Sequence, residues 1–365
     1  MTYKETLFFV AKCLTISLEE QNKKEIENQL KTTEIDWDAV VKVSTANLVF
    51  PALYCNLKRA NFTHLLPEEL VNYMIHITDL NRERNQQIIK QAKEINELLL
   101  ANNITPIFLK GTGNLLEDLY TDIAERMLGD IDFLVSQEDF KNTVRLLKKE
   151  GYSAENEIYM DFHWHYPKMV KKNRIAAVEV HKNVLKKPYT SYLDYETLIE
   201  NSLSVNNCKV ASFENQSLVT ILQKQINDNL YFSKTISLRN LYDSFLLSVN
   251  IPSKKRDLKN KTIKKYLNNY NICAAKLLNS PKSIEYTINN DGTKYLESYL
   301  KIMANSKKEL RKIAIINSYI KIKDKIKILQ YSFTDEEYKS YTFRRLKNFN
   351  FYLKNLGLKK SKSNS

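Results

Sequence analysis

The chain of 365 residues contains 43% apolar and 27% charged side chains, a composition that excludes a disordered or fibrous protein. Its formal net charge of +14 is distributed unevenly. Residues 1–250 carry 29 basic and 33 acidic groups, whereas residues 251–365 carry 27 basic and 9 acidic groups, a net charge of +18. A surface of that sign attracts anions, so nucleic acid, an anionic membrane surface and phosphorylated small molecules are candidate partners.

The cysteines and the hydropathy of the chain indicate in which cellular compartment the protein is expected. The four cysteines lie far apart, with no CxxC or Cys/His spacing, so they suggest neither a zinc site nor a disulfide framework and are expected to be reduced and buried. Glu5 and Lys12 interrupt the short apolar run at the N-terminus, so it is not expected to be a signal peptide. Because no segment reaches about 18 consecutive apolar residues, we expect a cytoplasmic protein without a membrane span.

Apolar residues recur at three- and four-residue steps from residue 3 onwards, and Pro and Gly are almost absent, which predicts an N-terminal helical region at residues 1–100. Residues 66–103 are predicted to form one long helix or two stacked helices, with Pro67 in the first turn. The apolar stripe of this segment needs a partner surface. It consists of Leu70, Met74, Ile77, Leu80, Ile88, Ile95 and Leu98.

Short strand patterns replace the helical period within residues 101–212. The segment 104–110 is mostly apolar and is followed by Gly111 and Gly113, as expected for a buried strand that leads into a turn and a helix. The segment 129–135, GDIDFLV, alternates and predicts a second strand.

A helix and a hairpin are predicted to follow the second strand. Ser136 and Asp139 are close to a capping box, so a helix is expected to run from there to about Glu150. Residues 163–182 predict two strands that are joined by a polar turn at residues 171–173. Strands and helices in this order are typical of a small α/β domain.

The helical period returns after residue 212 and predicts a basic helical bundle at residues 213–355 and a disordered tail at residues 356–365. One apolar stripe has the spacing of a helix face that packs in a core. It consists of Ile315, Tyr319, Ile322, Ile326 and Leu329. Two interpretations of the charge stay open: the basic faces are simply solvated, or cations and aromatic rings near the C-terminus bind a strand of RNA. These side chains are Tyr338, Tyr341, Phe343, Arg344, Arg345, Lys347, Phe349, Phe351 and Tyr352.

Two aspartates on the second predicted strand are the best candidates for chemistry. Asp130 and Asp132 are separated by one residue, so their carboxylates share one face of the strand. Carboxylate oxygens suit Mg²⁺, and a third carboxylate from a neighbouring strand would complete a site for two ions about 3.5–4 Å apart, as used in phosphoryl transfer. Glu179, in the predicted strand AAVEVH, is the best-placed third carboxylate, with a salt bridge to Arg174 or to a neighbouring lysine as the alternative.

Phosphate ligands are expected where the first predicted strand ends. Gly111 and Gly113 would let backbone N–H groups approach a phosphate at the start of a helix, and Thr112 would add a hydroxyl donor. Lys110 and Arg126 are candidates to neutralise a triphosphate, with ordinary solvent-facing positions as the alternative.

Histidines occur close to the candidate carboxylates. His181 would share the face of Glu179 and either orient a metal ligand, contact the nucleotide or serve as a hydrogen-bonded structural residue. His163 and His165 alternate on a predicted strand, but a metal-binding pair is disfavoured because no other transition-metal ligands are nearby.

The motifs taken together resemble a known family. LKGTGNLLEDLY at residues 109–120, Arg126, GDIDFLV, the helix that ends in LLKKEGY, and VEVH at residues 178–181 resemble the uncharacterised nucleotidyltransferases of bacteria, a branch of the polymerase-beta-like superfamily. The likeness covers roughly residues 30–250. It implies an α+β fold in which a nucleotidyltransferase-type mixed sheet is flanked by N-terminal helices and a C-terminal helical bundle, with the catalytic core at residues 101–212.

The resemblance also implies roles for individual residues. Asp130 and Asp132 take the place of the metal-binding pair, Glu179 that of the third carboxylate, and Gly111 and Thr112 that of the Gly-Ser pair of the superfamily. Threonine in place of the usual serine keeps the hydroxyl and adds a methyl group.

The activity implied is metal-dependent transfer of a nucleoside monophosphate from an NTP such as ATP to an acceptor hydroxyl, with release of pyrophosphate. Two Mg²⁺ ions would assist, with Mn²⁺ as an alternative. The acceptor is left open among RNA, including a tRNA end as in toxin-type relatives, a protein, a peptide and a small molecule. The oligomeric state is also left open. A second class is a non-catalytic nucleic-acid-binding protein on the same fold.

Overall fold

The computed structural model describes residues 1–154, 162–251, 258–304 and 307–347. Several parts of the predicted C-terminal region lie outside the described residues. They are the tail at residues 356–365, the rings of Phe349, Phe351 and Tyr352, and the side chains of Arg345 and Lys347.

The predicted fold class is confirmed: the protein is α+β, with a seven-stranded mixed sheet between N-terminal and C-terminal helices. Helices dominate the chain before the first strand because the apolar residues there recur with the helical period. These helices are α1 (Tyr3–Cys13), α2 (Glu20–Thr32), α3 (Trp37–Ala46), α4 (Phe50–Arg59) and α5 (Glu68–Leu100).

The sheet and its helices follow α5. The strands are β1 (Ile107–Phe108), β2 (Asp130–Leu134), β3 (Ser153–Ala154), β4 (Met169–Val170), β5 (Ala177–His181), β6 (Leu203–Val205) and β7 (Cys208–Val210). The helices among them are α6 (Lys110–Leu116), α7 (Phe140–Lys149) and α8 (Tyr195–Glu200). The spatial order of the strands is β3-β4-β5-β2-β1-β7-β6, so β2 lies near the centre of the sheet. It pairs with β5 in parallel and with β1 in antiparallel orientation.

Helices return after β7. They are α9 (Phe213–Leu222), α10 (Leu230–Ser233), α11 (Leu238–Asn250), α12 (Lys261–Leu278), α13 (Asn290–Met303), α14 (Lys307–Tyr331) and α15 (Glu336–Lys347). One π-helical turn, Gln223–Asn227, continues α9. Such turns occur often at functional sites, and residues of this one line a cavity together with Asp130 and Asp132 of β2.

The long helix α5 supports the loop that precedes β2. Its buried Asn81 and Asn85 donate hydrogen bonds to backbone carbonyls of this loop, at 2.7 Å to Ala124 and 2.8 Å to Arg126. Buried amides need such partners, so these two asparagines hold the loop that contains Arg126 against α5. The prediction of a covered apolar stripe on α5 is wrong for one residue, since Leu80 is 50% exposed.

The N-terminal and C-terminal helices contact each other. The side-chain amide of Asn22, in α2, donates to the carbonyl of Leu278 at the end of α12 at 2.8 Å. The prediction of buried thiols is confirmed, since all four cysteines are free and buried. No helix in the part of the chain that the structure describes has the length and apolar character needed to cross a bilayer.

The prediction that one face of α14 packs in a core is wrong. The five side chains of its apolar stripe are between 49% and 69% exposed. Helix α14 turns another side towards the protein, where Ile320 is buried. Helical spacing alone identifies an apolar face and leaves open what covers it.

Candidate active site

Three carboxylates converge at one end of the two central strands. The parallel pairing places Asp132 directly opposite Glu179, and Asp130 lies two residues before Asp132 on the same face of β2. Asp132 and Glu179 are buried, whereas the side chain of Asp130 is 27% exposed. Potential ligand atoms of Asp132, Glu179 and His181 lie within 4.8 Å of one another. The structure therefore brings together the three carboxylates that the sequence analysis selected.

Two lysine ammonium groups compensate the carboxylates. The Lys110 Nζ lies 2.6 Å from Asp132 Oδ1 and 3.8 Å from Glu179 Oε2. The Lys168 Nζ lies 2.8 Å from Asp130 Oδ2 and 3.5 Å from Glu179 Oε1. Each ammonium group thus bridges Glu179 to one aspartate, and the cluster already attracts two cations from its own chain.

The charges in the cluster stabilise one another. Burial opposes the charged form of Glu179, but the hydrogen bond from His181 and the charge of Lys110 outweigh it and hold the pKa of Glu179 well below its usual value. Burial likewise lowers the pKa of Lys110, yet attraction to Asp132 and Glu179 raises it more. The side chains of Glu179 and Lys110 are therefore ionised at neutral pH.

Lys110 reaches the carboxylates through an unusual backbone conformation. Its φ is +53°, in the left-handed region that few residues other than glycine adopt. The turn between β1 and α6 requires this conformation, which costs about 1–3 kcal/mol and is found often at functional sites. Of the residues predicted to bind phosphate, Lys110 is the one whose side chain contacts the carboxylates.

His181 is fully buried beside the same carboxylates. Its Nε2 lies 2.9 Å from Asp132 Oδ1, and its Nδ1 has no hydrogen-bond partner among the described residues. Burial lowers the pKa of His181, but hydrogen bonds to Asp132 and Glu179 outweigh it and raise the pKa. A buried N–H without an acceptor is costly, so the neutral ring carries its proton on Nε2, as the charged ring also does. In this arrangement Nε2 donates to Asp132 and has no lone pair for a metal.

The start of α6 is packed tightly against the sheet. The Thr112 hydroxyl donates to the Asp130 carbonyl and accepts from the Asp132 backbone N–H, both at 3.3 Å. A Cβ on Gly113 would lie 2.8 Å from the Phe108 carbonyl oxygen, and one on Gly111 would lie 2.8 Å from Leu128 Cδ1. Thr112 and Gly113 therefore hold α6 against β1 and β2, whereas Gly111 lines the cavity in front of the carboxylates.

Arg126 lies at the back of this cavity and is already paired. It is 5% exposed, and its Nε lies 3.0 Å from Asp243 Oδ2 on α11. The other oxygen of Asp243 accepts from the Tyr120 hydroxyl at 2.7 Å, and Asn114 donates to that hydroxyl at 3.0 Å. The predicted phosphate ligand is thus part of a buried polar network that joins the loop before β2 to the C-terminal helices.

A second arginine faces the cavity with fewer partners. Arg239, on α11, donates to the Met127 carbonyl at 3.2 Å, and its Nε has no hydrogen-bond partner in the described parts of the chain. Burial and the neighbouring charge of Arg126 lower the pKa of Arg239 to about 10. The cavity has a volume of about 250 Å³ and is also lined by Asp130 and Glu179. Arg239 therefore has no carboxylate within ion-pair distance among the described residues, although the more distant charges of Asp243 and Asp130 favour its cationic form.

Three residues of the site were not predicted from the sequence: Lys168, Arg239 and Asp243. Lys168 resembles the lysines that follow it in the turn, so no pattern singled it out. Arg239 and Asp243 did carry a signal: they lie four residues apart, on one face of a helix that is otherwise rich in buried apolar residues.

His163 and His165 do not join the candidate metal ligands. Their Nδ1 atoms lie 3.3 Å and 2.7 Å from the backbone carbonyls of His165 and Tyr166. Burial lowers the pKa of His163 to about 4, so its ring is neutral at pH 7. Within the described ranges, Asp132, Glu179 and His181 form the one group of three potential ligands that lie within 4.8 Å of one another. Because His181 Nε2 donates to Asp132, the two carboxylates are the members of this group that would bind a metal.

The donor set fits a hard divalent cation. Three carboxylates offer oxygen ligands at one point, and the two lysines show that the cluster is balanced by cations. Glu179 also pairs with these lysines rather than with Arg174, which lies 2.5 Å from Glu94. A buried, metal-compatible acidic cluster in a cavity that is also lined by Lys110, Arg126 and Arg239 suits chemistry on a phosphorylated substrate.

Comparison with known proteins gives a match at the level of a family. No curated protein matches the chain, and no solved structure matches it. The model of a family described as uncharacterised nucleotidyltransferase matches residues 33–278, well over half of the chain. This match includes the whole sheet and helix α11, which carries both Arg239 and Asp243. The chain therefore belongs to this family of uncharacterised nucleotidyltransferases.

Proposed function

We propose that the protein transfers a nucleoside monophosphate from an NTP to an acceptor hydroxyl and releases pyrophosphate. The observation that carries the proposal is the register of β2 and β5, which sets Asp132 opposite Glu179 with Asp130 on the same face. The family match supports the same chemistry. A protein that only bound nucleic acid would have no use for three converging carboxylates, two of them buried.

Asp130, Asp132 and Glu179 would hold two divalent cations, Mg²⁺ or Mn²⁺. When bound, such ions neutralise the phosphate oxygens and make the acceptor hydroxyl more acidic. The low pKa of Glu179 makes it a weak base, so we assign it to cation binding rather than to proton removal. His181 would act as a positioning residue that holds Asp132 through its Nε2–H.

Positive charge around the cavity would bind the triphosphate. Lys110, Lys168 and Arg239 surround the carboxylates, and the backbone of Gly111 is open to the cavity. Their charge would stabilise the pyrophosphate that leaves. Arg126 would act indirectly, by keeping its neighbour Gly111 and the cavity wall in place.

Arg239→Ala is expected to raise the KM for the NTP by about 10–100-fold, because a charge-assisted hydrogen bond to phosphate would be lost. Steady-state kinetics with varied NTP would measure the effect. Arg145→Ala is the control, since Arg145 is exposed on α7 and donates to Asn142 away from the cavity. An unchanged KM in the Arg239 variant would remove this arginine from the NTP site.

The function itself is tested by labelling. The protein is incubated with cell extract and each α-labelled NTP, and RNA, protein and small molecules are then separated. We expect one class to be labelled by the wild type with Mg²⁺ or Mn²⁺, and no class to be labelled by Asp130→Asn or in the presence of a chelator. Equal labelling by the Asp130 variant would contradict the assignment, and RNA binding without any labelling would favour a binding protein instead.

A further inference from the structure

Helix α14 exposes a continuous row of apolar side chains, called here the apolar row. Its members are between 49% and 69% exposed and recur at three- and four-residue steps. They are Ile315, Tyr319, Ile322, Ile326 and Leu329. The row is about 21 Å long at 1.5 Å per residue, and Phe333, which is 87% exposed, follows just beyond the helix. Isolated exposed apolar residues are common, but an aligned row of this length indicates a binding surface.

Basic side chains border the apolar row on both sides. With about 3.6 residues per turn, Lys312 and Lys323 lie along one edge of the row, and Lys321 and Lys325 lie along the other. All four side chains are exposed. The whole helix contains eight basic and two acidic residues, so its surface is strongly positive. A partner that binds the apolar row and its flanking lysines therefore has to offer both an apolar region and negative charge.

We propose that α14 binds the surface of an anionic lipid bilayer. The helix would lie in the plane of the headgroups, with the apolar row in the acyl boundary and the bordering lysines at the anionic headgroups. Lysine stems can reach outward from the edges of the row while their ammonium groups stay in water. The protein would thus bind the bilayer peripherally.

Charge complementarity favours the bilayer over other occupants of the row. A second copy of α14 would bring two strongly basic helices together. Residues 348–365 carry four lysines and no acidic residue, so they have the same sign as α14. RNA would pair with the lysines, but it would leave the isoleucines exposed, because bases stack on aromatic rings and not on aliphatic side chains.

The test is flotation of the full chain with lipid vesicles. We expect binding to vesicles of equal parts phosphatidylglycerol and phosphatidylcholine, and little binding to phosphatidylcholine alone. The double variant Ile322→Ser with Ile326→Ser is expected to lower the partition coefficient by about tenfold or more, because it removes buried apolar area. Lys321→Glu with Lys325→Glu is expected to lower it as well, and most strongly at low salt.

A matched double variant controls for general loss of surface apolarity. Ile75→Ser with Leu80→Ser changes two exposed apolar residues on α5 and is expected to leave the partition coefficient unchanged. Thermal unfolding confirms that all variants are folded. Absence of wild-type binding to the anionic vesicles would overturn the proposal, as would equal losses in the two serine variants. Dimerisation or RNA retention that depends on Ile322 and Ile326, without vesicle binding, would assign the row to those partners instead.

Discussion

Asp132→Asn is expected to reduce nucleotidyl transfer by about 10³-fold or more, because the substitution removes one of two buried carboxylates that would hold the catalytic cations. Asp132 also accepts hydrogen bonds from Lys110 and His181, at 2.6 Å and 2.9 Å. Asparagine keeps the shape of the side chain and can still accept both hydrogen bonds through its amide oxygen. The loss of activity would therefore result from removal of the negative charge. The rate of label transfer from an α-labelled NTP measures the effect.

Metal binding gives a second readout for the same variant. Calorimetric titration with Mn²⁺ is expected to show at least one weakened site in Asp132→Asn. Thermal unfolding should change little, because Lys110 still has Glu179 as a partner at 3.8 Å and repulsion between the two buried carboxylates is relieved.

Glu138→Gln is the matched control for Asp132→Asn, since Glu138 is an exposed carboxylate near the end of β2. This control is expected to keep both activity and metal affinity. Transfer at the wild-type rate by Asp132→Asn would remove Asp132 from the catalytic machinery.

The sequence was sufficient to select the three carboxylates that the fold brings together. Alternation in GDIDFLV identified β2 and placed Asp130 and Asp132 on one face, and AAVEVH identified β5 with Glu179. The expectation that Glu179 comes from a neighbouring strand left the direction and register of the pairing open, because strand pairing depends on contacts that are remote along the chain. The register that sets Asp132 opposite Glu179 is therefore information from the fold alone.

The cations of the site were harder to predict than its acids. The charge of Arg126 suggested a phosphate ligand, yet the fold gives it a buried partner in Asp243, more than a hundred residues later. Lys168 reaches Asp130 from a loop, and Arg239 reaches the cavity from α11. Long flexible side chains can point in many directions, so their partners follow from tertiary structure and not from local pattern.

The apolar spacing in α14 predicted a helix correctly but did not predict which side of it is buried. Its sequence places apolar residues on more than one side, and the side that packs against the protein includes Ile320 rather than the five residues of the apolar row. The helical period was right, but the periodic pattern identified a face without identifying its partner. The basic residues around that face were the remaining signal, and they favour an anionic surface.

Asp243→Ala is expected to destabilise the protein by about 3–5 kcal/mol, because it leaves the guanidinium of Arg126 buried without its carboxylate. Asp243 is 1% exposed and Arg126 is 5% exposed, so water cannot replace the lost partner. The Tyr120 hydroxyl loses its acceptor as well. Denaturant unfolding would measure the change. Because Arg126 packs against Gly111, the variant should also lose NTP binding before it unfolds globally.

Two further variants separate the cost of an unpaired buried charge from the cost of lost packing in Asp243→Ala. Arg126→Met combined with Asp243→Leu removes both charges and keeps the volume, so it is expected to regain much of the stability that Asp243→Ala loses. Glu27→Ala breaks the exposed pair of Glu27 and Lys31 and should change stability by less than about 1 kcal/mol. If Asp243→Ala cost no more than Glu27→Ala, Arg126 would be solvated in the folded protein. It would then be free to bind phosphate directly, and the indirect role that its burial implies would be wrong.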